Sequence, residues 1–389
     1  MRIVHTSDWH AGRVWKNVRR LDELAAVLEH LSGFVDRERV DALIVSGDVF
    51  DTGAPVPDAE KVVFRFLRRM GDLGVQSVVI AGNHDSPSRL AAWAHFAELA
   101  HVRVVPRPVR AEDGGVLRLE TNRGEHAVVA ALPFAGMKDL VSAAQLAASD
   151  AVAHQVYADG VRWMIEHLCE RFERSTVNLF VAHTHLQAAT LGGSERKVHV
   201  GEQWATTPQA LPPSAHYVAL GHIHRPQRID APSPAEYAGS PLQLDFGEEA
   251  DAKSFVVIDA EPGVPATIRR IPYEGGRKLC TVAASLPELE ARADELRGAG
   301  WLRVRVTATK RDPELAGRVR ALLENAVVVE LVLPERDEQP PQAARLASDA
   351  APRDLFRAYF LARHGMEPDA PVLEAFDQLL AETDAEAAQ

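Results

Sequence analysis

An apolar run ends in a polar cluster at Val78-Val79-Ile80-Ala81-Gly82-Asn83-His84-Asp85. The same pattern recurs elsewhere: Ile3-Val4 precedes Asp8-Trp9-His10, Ala42-Leu43-Ile44-Val45 precedes Gly47-Asp48-Val49-Phe50-Asp51, and Tyr217-Val218-Ala219-Leu220 precedes Gly221-His222-Ile223-His224. Each apolar run is typical of a buried strand, and α/β sheets bind ligands at the carboxyl ends of their strands. The polar clusters are therefore candidates for a binding site.

The side chains in these clusters are suited to metal ions. They are carboxylates, imidazoles and a carboxamide without a cysteine, which favours Mn²⁺, Fe²⁺ or Zn²⁺. Asp8 and His10 are two residues apart, as are His222 and His224, so in an extended segment the members of each pair point to the same side. Either pair alone would more often be structural, but the joint occurrence of all the clusters predicts a metal site.

The composition is that of a globular protein with an acidic charge balance. Of 389 residues, 46% are hydrophobic and 25% are charged, and the formal net charge is −12. This length predicts two or three domains. The acidic balance disfavours a protein that binds nucleic acid over its whole surface by counterion release, although a local basic groove is compatible with it.

Several features predict a cytoplasmic protein without a membrane span. The strand-like Ile3-Val4 leaves no room for the apolar stretch of a signal peptide, and no run approaches the ~20 apolar residues of a membrane helix. Cys169 and Cys280 stand far apart and outside any C-x-x-C pattern. Buried thiols in a reducing compartment are therefore favoured over a disulfide or a metal pair.

The order of the predicted elements divides the chain. In residues 1–271, strands alternate with helices such as Leu21–Val35 and Asp58–Leu73, which indicates right-handed βαβ units and a mostly parallel sheet. Short β-like segments between Val102 and Pro133 predict antiparallel or edge strands there. Residues 272–333 have the order β-α-β-α-β, which predicts a small second α/β domain.

The C-terminal part predicts a surface for a protein partner. Residues 334–350 form a polar, proline-rich linker, and residues 351–389 contain two helical patterns, Pro352–His364 and Pro371–Glu382. Both patterns carry apolar stripes, formed by Leu355, Phe356, Tyr359 and Phe360 on the first and by Leu373, Phe376, Leu379 and Leu380 on the second. So small a helical pair does not bury these side chains unaided, and we expect a partner to cover them.

The polar clusters resemble, in their order, the motifs of the calcineurin-like metallophosphoesterases, D-x-H, G-D-x-x-D, G-N-H-D/E and G-H-x-H. The resemblance implies a β-sandwich flanked by helices that hydrolyses phosphoesters with two divalent metal ions. The family's pattern implies two ligand sets: Asp8, His10, Asp48 and His224 for one ion, and Asp48, Asn83, His183 and His222 for the other. Asp48 is then the bridge, since a carboxylate has two oxygens.

Some assignments within this pattern keep an alternative. Ala182-His183-Thr184-His185 offers two histidines for one ligand position, and His183 is preferred because it directly follows the predicted strand. His84 corresponds to the family's histidine that protonates the leaving oxygen; the alternative is a hydrogen-bond donor behind the ligands. Asp51 corresponds to an aspartate that orients this histidine, which would raise the pKa of His84. Asp85 is expected to be structural.

A closer resemblance is to the SbcD family, the nuclease subunits of the bacterial SbcC–SbcD complex. It is carried by Met1 to His10, Gly47 to Pro55, Tyr217 to Gln227 and Tyr237 to Phe246, and by the order of parts along the chain. The family implies Mn²⁺-dependent exonuclease and endonuclease activity on DNA double-strand ends and hairpins, in repair, recombination and replication. It also implies a homodimer whose C-terminal helices bind SbcC, an SMC-like ATPase.

Two other functions remain open from the sequence. The same site would serve a phosphodiesterase or phosphatase for nucleotides or other small esters, although such an enzyme requires neither the second domain nor the C-terminal helices. A non-catalytic adapter with this fold usually loses ligands, whereas here every ligand position is filled. Two surfaces are hypotheses. Helix Asp58–Leu73 is proposed for the dimer, with core packing as the alternative. A DNA path is proposed along Arg13, Lys16, Arg19 and Arg20, with a solvated face as the alternative.

Overall fold

The computed structural model describes residues 1–121, 123–136, 140, 150–187, 189–192, 206–308, 312–333, 351–364 and 366–387. The strands are β1 (Arg2–Thr6), β2 (Val14–Trp15), β3 (Val18–Arg19), β4 (Ala42–Val45), β5 (Gln76–Ile80), β6 (Val102–Val105), β7 (Val116–Glu120), β8 (His126–Leu132), β9 (Val177–His183), β10 (Tyr217–Gly221), β11 (Gln227–Ile229), β12 (Ala235–Tyr237), β13 (Ser254–Glu261), β14 (Val264–Pro272), β15 (Leu279–Ser285), β16 (Trp301–Thr307) and β17 (Ala326–Val332). The α-helices are α1 (Leu21–Glu38), α2 (Pro57–Asp72), α3 (Pro87–Ala97), α4 (Asp150–Cys169), α5 (Leu286–Ala291), α6 (Ala293–Arg297), α7 (Leu315–Leu322), α8 (Pro352–His364) and α9 (Ala370–Ala387).

The first six-stranded sheet has the order β14-β13-β1-β4-β5-β6. Strands β1, β4, β5 and β6 are parallel, whereas β13 is antiparallel to β1 and β14 is antiparallel to β13. The parallel part is the βαβ arrangement that the alternation of strands and helices predicted. Because β1, β4 and β5 are adjacent and parallel, the polar clusters that follow them open at the same edge of the sheet.

The second six-stranded sheet has the order β11-β12-β10-β9-β8-β7. Its strands β8, β9, β10 and β12 are parallel, and β7 and β11 are antiparallel edge strands. The predicted antiparallel or edge strands are confirmed, since β6 and β7 lie at sheet edges and β8 is antiparallel to β7. Strand β8 also lies inside the second sheet, where it pairs in parallel with β9. A continuous apolar run, Ala127 to Leu132, is typical of such a buried parallel strand.

The two sheets pack face to face, and helices cover their outer faces. Fully buried side chains of both sheets, such as Ile3 and Val181, form the core between them. Residues of α1 and α2 pack on the first sheet, and residues of α4, such as Ile165, pack on the second. The predicted β-sandwich flanked by helices is confirmed.

Residues 279–332, here called the capping sheet, form a separate three-stranded parallel sheet in the order β15-β16-β17, connected by α5, α6 and α7. This is the predicted order β-α-β-α-β. The amide of Leu279 donates to Gln243 Oε1 at 2.7 Å, and Trp301 Nε1 donates to Glu23 Oε1 at 2.9 Å. These contacts join the capping sheet to the sandwich within one compact unit, and the predicted domain boundary at residue 272 stays a prediction.

The C-terminal helices α8 and α9 belong to a second compact unit. Phe356 of α8 stacks on Phe376 of α9 with ring centroids 4.2 Å apart, and Arg353 pairs with Asp377 at 2.9 Å. Helix α9 extends further than the predicted Pro371–Glu382. The predicted linker, residues 334–350, lies outside the described residues. No helix in the described part of the chain is both long and apolar enough to cross a membrane.

Candidate metal centre

The loops that follow β1 and β4 continue the pairing of their strands beyond the sheet. Asp8 N donates to Gly47 O at 3.0 Å, and His10 N donates to Asp48 O at 3.0 Å. The Asp8 carboxylate also accepts a hydrogen bond from the amide of His222 at 3.1 Å. These bonds hold the polar clusters after β1, β4 and β10 against one another.

The backbone is left-handed at several polar positions of these loops. The angle φ is 52° at Asp8, 46° at His10, 49° at Asp48 and 104° at His222. A non-glycine residue in this region costs about 1–3 kcal/mol and keeps the conformation only where its surroundings demand it. Strain at this many polar residues in one place is typical of a functional site.

Two glycines allow the strand ends to approach closely. A Cβ atom on Gly82 would collide with the Asp48 carboxylate, and a Cβ atom on Gly221 would collide with the backbone oxygen of Ser46. Glycine alone fits such contacts without displacing the neighbour. The loops after β5 and β10 therefore press directly against the end of β4, which carries Asp48.

One group of donor atoms surrounds His10. Its Nε2 lies 3.0 Å from His224 Nε2 and 3.6 Å from Asp48 Oδ2. Asp8, His10 and His224 each offer one ligand atom, and these atoms lie within 4.8 Å of one another. All three residues are buried, so this group of donor atoms lies below the surface.

A second group of donor atoms surrounds Asn83. Its Oδ1 lies 3.0 Å from His183 Nε2 and 2.8 Å from His222 Nδ1. His183 Nε2 also lies 3.6 Å from Asp48 Oδ2, so Asp48 contacts both groups. His183 Nδ1 donates a hydrogen bond to Ser46 O at 2.8 Å. The lone pair of Nε2 is therefore directed towards the other candidate metal ligands. The structure therefore brings together every predicted ligand.

The donor set fits divalent cations. His10 Nε2 and His224 Nε2 face each other at 3.0 Å, an arrangement that is repulsive unless a proton or a cation is shared between them. Burial lowers the pKa of His10 well below its ordinary value and raises the pKa of the Asp8 carboxyl to about 8. A bound cation would stabilise neutral imidazoles and ionised carboxylates, which are the protonation states that metal ligands require.

His84 lies beside this cluster and is tied to Asp48. Its amide donates to Asp48 Oδ1 at 2.8 Å, and its Nε2 lies 4.0 Å from Asp48 Oδ2. Its Nδ1 lies 2.8 Å from the main-chain oxygen of Asp51. A proton on Nδ1 is donated to that oxygen, so the opposite ring nitrogen faces the donor groups.

The carboxylate of Asp51 lies beside His10 and Arg13. Its Oδ1 is 3.2 Å from His10 Nδ1 and 3.7 Å from Arg13 Nη1. The main-chain carbonyl of Asp51 lies within hydrogen-bonding distance of His84 Nδ1, and a role of the Asp51 carboxylate in orienting His84 stays a prediction. The carbonyl fixes the ring of His84 but brings no titratable charge to it.

Asp85 is buried behind the cluster and binds backbone. Its carboxylate accepts hydrogen bonds from the amides of Val49 at 3.2 Å, Phe50 at 3.0 Å and Gly82 at 2.9 Å. Burial raises the pKa of Asp85 to about 6 in spite of these bonds. The carboxylate joins the loop after β4 to the loop after β5, which is a structural role.

Sequence reasoning missed Glu248 and Phe134. Glu248 Oε1 lies 3.5 Å from His224 Nδ1, and the ring of Phe134 stacks on that of His222 with centroids 6.3 Å apart. Neither residue belongs to a motif or to a periodic pattern. The glutamate follows its histidine only after two strands and a turn, so spacing along the chain carries no signal of the contact.

Comparison with known proteins identifies the family. The model of the calcineurin-like phosphoesterases matches residues 1–226. The SbcD subunit of the nuclease SbcCD from Bacillus subtilis (strain 168) is 34% identical over 302 residues, which cover 76% of this chain and 76% of the relative. The chain belongs to the SbcD family of calcineurin-like phosphoesterases.

Other relatives agree with this membership in the SbcD family. The SbcD subunits of the nuclease SbcCD are 28% identical in Escherichia coli (strain K12), over 87% of this chain and 86% of the relative, and 31% identical in Rhodobacter capsulatus, over 92% of each. A model described as the type 5 capsule protein repressor C-terminal domain matches residues 275–364. Among solved structures, a dimetal phosphatase from Danio rerio is similar only at a TM-score of 0.39 and 12% identity, over 70% of this chain and 99% of that one.

We expect metal binding to depend on pH, because the pKa of the candidate ligand Asp8 is raised. Below about pH 8 a proton occupies this carboxyl and competes with a cation, so we expect metal affinity to increase from pH 6 to pH 8. Because this pKa is above its ordinary 3.8, the folded metal-free chain holds a proton that the unfolded chain has lost. The free energy of unfolding therefore decreases as pH rises from 6 to 8, and a bound metal offsets this loss. We expect Mn²⁺ to raise Tm more at pH 8 than at pH 6 in thermal unfolding, with a smaller difference in Asp8→Asn. An equal rise at both pH values would contradict this expectation.

Proposed function

We propose that this SbcD-family chain is a DNA nuclease that hydrolyses phosphodiester bonds with two metal ions, at double-strand ends and in hairpins. The observation that carries the proposal is the position of Asp48, whose Oδ2 lies 3.6 Å from His10 Nε2 and 3.6 Å from His183 Nε2. One carboxylate between two groups of donors is the arrangement of a bridged two-metal site. The relatives named as nucleases support DNA as the substrate.

In this proposal, two ligand sets share Asp48: Asp8, His10, Asp48 and His224 form one, and Asp48, Asn83, His183 and His222 form the other. The neutral carbonyl of Asn83 adds no negative charge, so the loaded site attracts a phosphate. His183 is favoured over His185 because its Nε2 lies within 3.0 Å of Asn83 Oδ1. His185 contacts the cluster through its ring, 6.2 Å from that of His222 between centroids.

Mn²⁺ is the proposed ion because the resemblance to the SbcD family implies it, and the donors, which are imidazole, carboxylate and amide groups without sulfur, are compatible with Mn²⁺, Fe²⁺ or Zn²⁺. When bound, two such ions supply positive charge at the phosphate oxygens and activate a water molecule. The chain's contribution is a rigid set of donors, held by the bond from His183 Nδ1 to Ser46 O and by the bond from the His222 amide to Asp8. Rigid donors reduce the reorganisation that the reaction would otherwise require.

We assign protonation of the leaving oxygen to His84. Its Nδ1 is held by the carbonyl of Asp51, so a second proton on Nε2 is carried on the side of the donor groups. The hydrogen bond from its main-chain amide to Asp48 Oδ1 fixes the position of His84 relative to the ligand cluster. General acid catalysis of this kind typically contributes ~10²–10⁴-fold to the rate.

A comparison of substrates tests the function. With Mn²⁺, we expect cleavage of a 3′-recessed duplex and of a DNA hairpin, and loss of cleavage when EDTA removes the metal. Bis-p-nitrophenyl phosphate serves as the small-ester control. Turnover of this ester without cleavage of either DNA would favour a small-molecule phosphodiesterase, and absence of both activities would favour an adapter. Either result would overturn the proposal.

We further propose that α8 and α9 bind an SMC-like ATPase of the SbcC type, in the cytoplasm. Phe356 of α8 stacks on Phe376 of α9, and Tyr359 is 54% exposed and Leu379 is 62% exposed. Apolar side chains this exposed on a helical pair are typical of a partner surface. The relatives are named as one subunit of the nuclease SbcCD, which supports a complex with another subunit.

Co-purification with a co-expressed ATPase subunit tests this surface. We expect Tyr359→Glu with Leu379→Glu to abolish co-purification while hydrolysis of bis-p-nitrophenyl phosphate is retained. Val264→Glu is a matched control, because Val264 is 51% exposed on the sandwich strand β14. Full co-purification of the double variant would contradict the proposal.

We also propose a homodimer through the face formed by α2, α3 and the 3₁₀ turn Glu98–Ala100. On this face Phe64 is 41% exposed, Phe96 is 78% exposed and Leu99 is 83% exposed. A cavity of about 600 Å³ with a mostly apolar lining opens here. This face includes α2, the helix that the sequence suggested for the dimer, and also α3. Exposed apolar patches of this kind mark interfaces between chains.

The molar mass in solution tests the dimer. We expect twice the chain mass of 42.5 kDa in light scattering for the natural protein and the single chain mass for Leu99→Glu. Val264→Glu again serves as the control and is expected to leave the dimer intact. A natural protein that remains monomeric at micromolar concentration would contradict the proposal.

A further inference from the structure

Glu248 is a fully buried carboxylate behind the metal cluster. It ends the 3₁₀ turn Phe246–Glu248, and its exposed fraction is 0%. Its Oε2 accepts hydrogen bonds from Lys253 Nζ at 2.7 Å and from Leu244 N at 3.0 Å. Lys253 and Glu248 therefore form a buried ion pair.

The second oxygen of this carboxylate faces His224. Glu248 Oε1 lies 3.5 Å from His224 Nδ1, while His224 Nε2 points to His10 Nε2 at 3.0 Å. Lys253 Nζ, the partner of Glu248, also donates to the main-chain oxygen of His224 at 2.8 Å, and Ser240 N donates to the same oxygen at 3.1 Å. The ring and the backbone of His224 are thus held by the same buried ion pair.

We propose that Glu248 is a positioning residue for His224, whose Nδ1–H it holds so that the Nε2 lone pair points into the metal cluster. The inference rests on the proposed role of His224 as a ligand. A carboxylate behind a ligating histidine fixes its tautomer and raises its basicity, and loss of such a partner typically weakens metal binding about 10–100-fold. Neither the motifs nor the family pattern assigns this role to Glu248.

The turn that carries Glu248 is anchored on its other side to the capping sheet. Gln243 Nε2 donates to Glu249 O at 3.0 Å, and Gln243 Oε1 accepts from the amide of Leu279 at 2.7 Å. Glu249 Oε2 accepts from Thr281 Oγ1 at 2.6 Å. Adjacent glutamates thus differ in what they contact, one facing a metal ligand and the other facing the capping sheet. Glu249→Gln is therefore a matched control for Glu248→Gln.

The test is a calorimetric titration of the metal-free full chain with Mn²⁺ alone, with Tm as the measure of folding. In Glu248→Gln the amide oxygen can take the bonds from Lys253 and Leu244, which leaves an NH₂ group facing the Nδ1–H of His224. We expect affinity for one Mn²⁺ to fall about 10–100-fold. Glu249→Gln is expected to bind Mn²⁺ like the natural protein.

Two further variants keep the outcome interpretable. The double variant Glu248→Gln with Lys253→Met removes both charges of the ion pair, so that no unpaired ammonium is left buried. We expect its Mn²⁺ affinity to be reduced as well. His224→Ala reports on the ligand itself: unchanged Mn²⁺ binding there would overturn the proposed ligand set. If His224→Ala bound Mn²⁺ more weakly but folded Glu248→Gln bound it with natural affinity, the positioning role alone would be overturned. Equal losses of Mn²⁺ affinity in Glu248→Gln and Glu249→Gln would overturn it too.

Discussion

Replacement of Asp48 by asparagine is expected to abolish DNA cleavage and to weaken the binding of both metal ions. The Asp48 carboxylate contacts both donor groups, and its Oδ1 also accepts the amide of His84, so one substitution removes charge from the whole cluster. Loss of metal-based charge stabilisation corresponds to a fall in kcat on the order of 10³-fold or more. Single-turnover cleavage of a hairpin DNA and calorimetric titration with Mn²⁺ measure the two effects.

The matched control for this prediction is Asp230→Asn, since Asp230 is exposed on the surface. It carries the same change of charge and is expected to keep the natural rate and the natural metal affinity. If Asp48→Asn bound two Mn²⁺ ions with natural affinity, the central position of Asp48 in the site would be disproved.

Replacement of His84 by alanine is expected to separate metal binding from turnover. His84 contacts Asp48 through its amide, which alanine retains, so Mn²⁺ affinity is expected to stay within a few-fold of the natural value. The proposed proton donor is lost, and kcat is expected to fall about 10²–10⁴-fold. Parallel measurement of Mn²⁺ affinity and of hairpin cleavage in the same preparation checks both halves of the prediction.

A substrate with a better leaving group sharpens this test. A p-nitrophenolate group departs without a proton, so the loss in His84→Ala is expected to be smaller with bis-p-nitrophenyl phosphate than with DNA. His126→Ala, at an exposed strand end, is the control and is expected to have no effect on either substrate. Equal losses on both substrates would indicate a binding role for His84 instead of a proton transfer.

The candidate ligands could be predicted because their positions depend on local pattern and on a simple rule of topology. Each cluster follows an apolar strand, and parallel neighbouring strands bring their carboxyl ends to one edge of the sheet. For example, Gly221 at the end of β10 lies opposite His183 at the end of β9. The interior position of β8 was missed, although its unbroken apolar run marked a strand that is buried on both faces.

Residues that act through distant contacts could not be predicted in this way. Glu248 reaches His224 only after the chain has formed two more strands and a turn, and Asp51 presents its carbonyl to His84 because of the loop conformation. Arg20 was a candidate for a DNA path, but it is 5% exposed, and its Nη2 donates to the main-chain oxygen of Arg277 at 3.1 Å. The guanidinium of Arg20 thus links the start of α1 to the segment before the capping sheet.

Anomalous X-ray scattering at the manganese edge, from crystals of the full chain soaked in Mn²⁺, tests the two-metal site most directly. We expect two anomalous peaks in the buried cluster, one on each side of the Asp48 carboxylate, with the imidazoles of His10 and His224 at one and those of His183 and His222 at the other. A single peak, or peaks that do not contact Asp48, would contradict it.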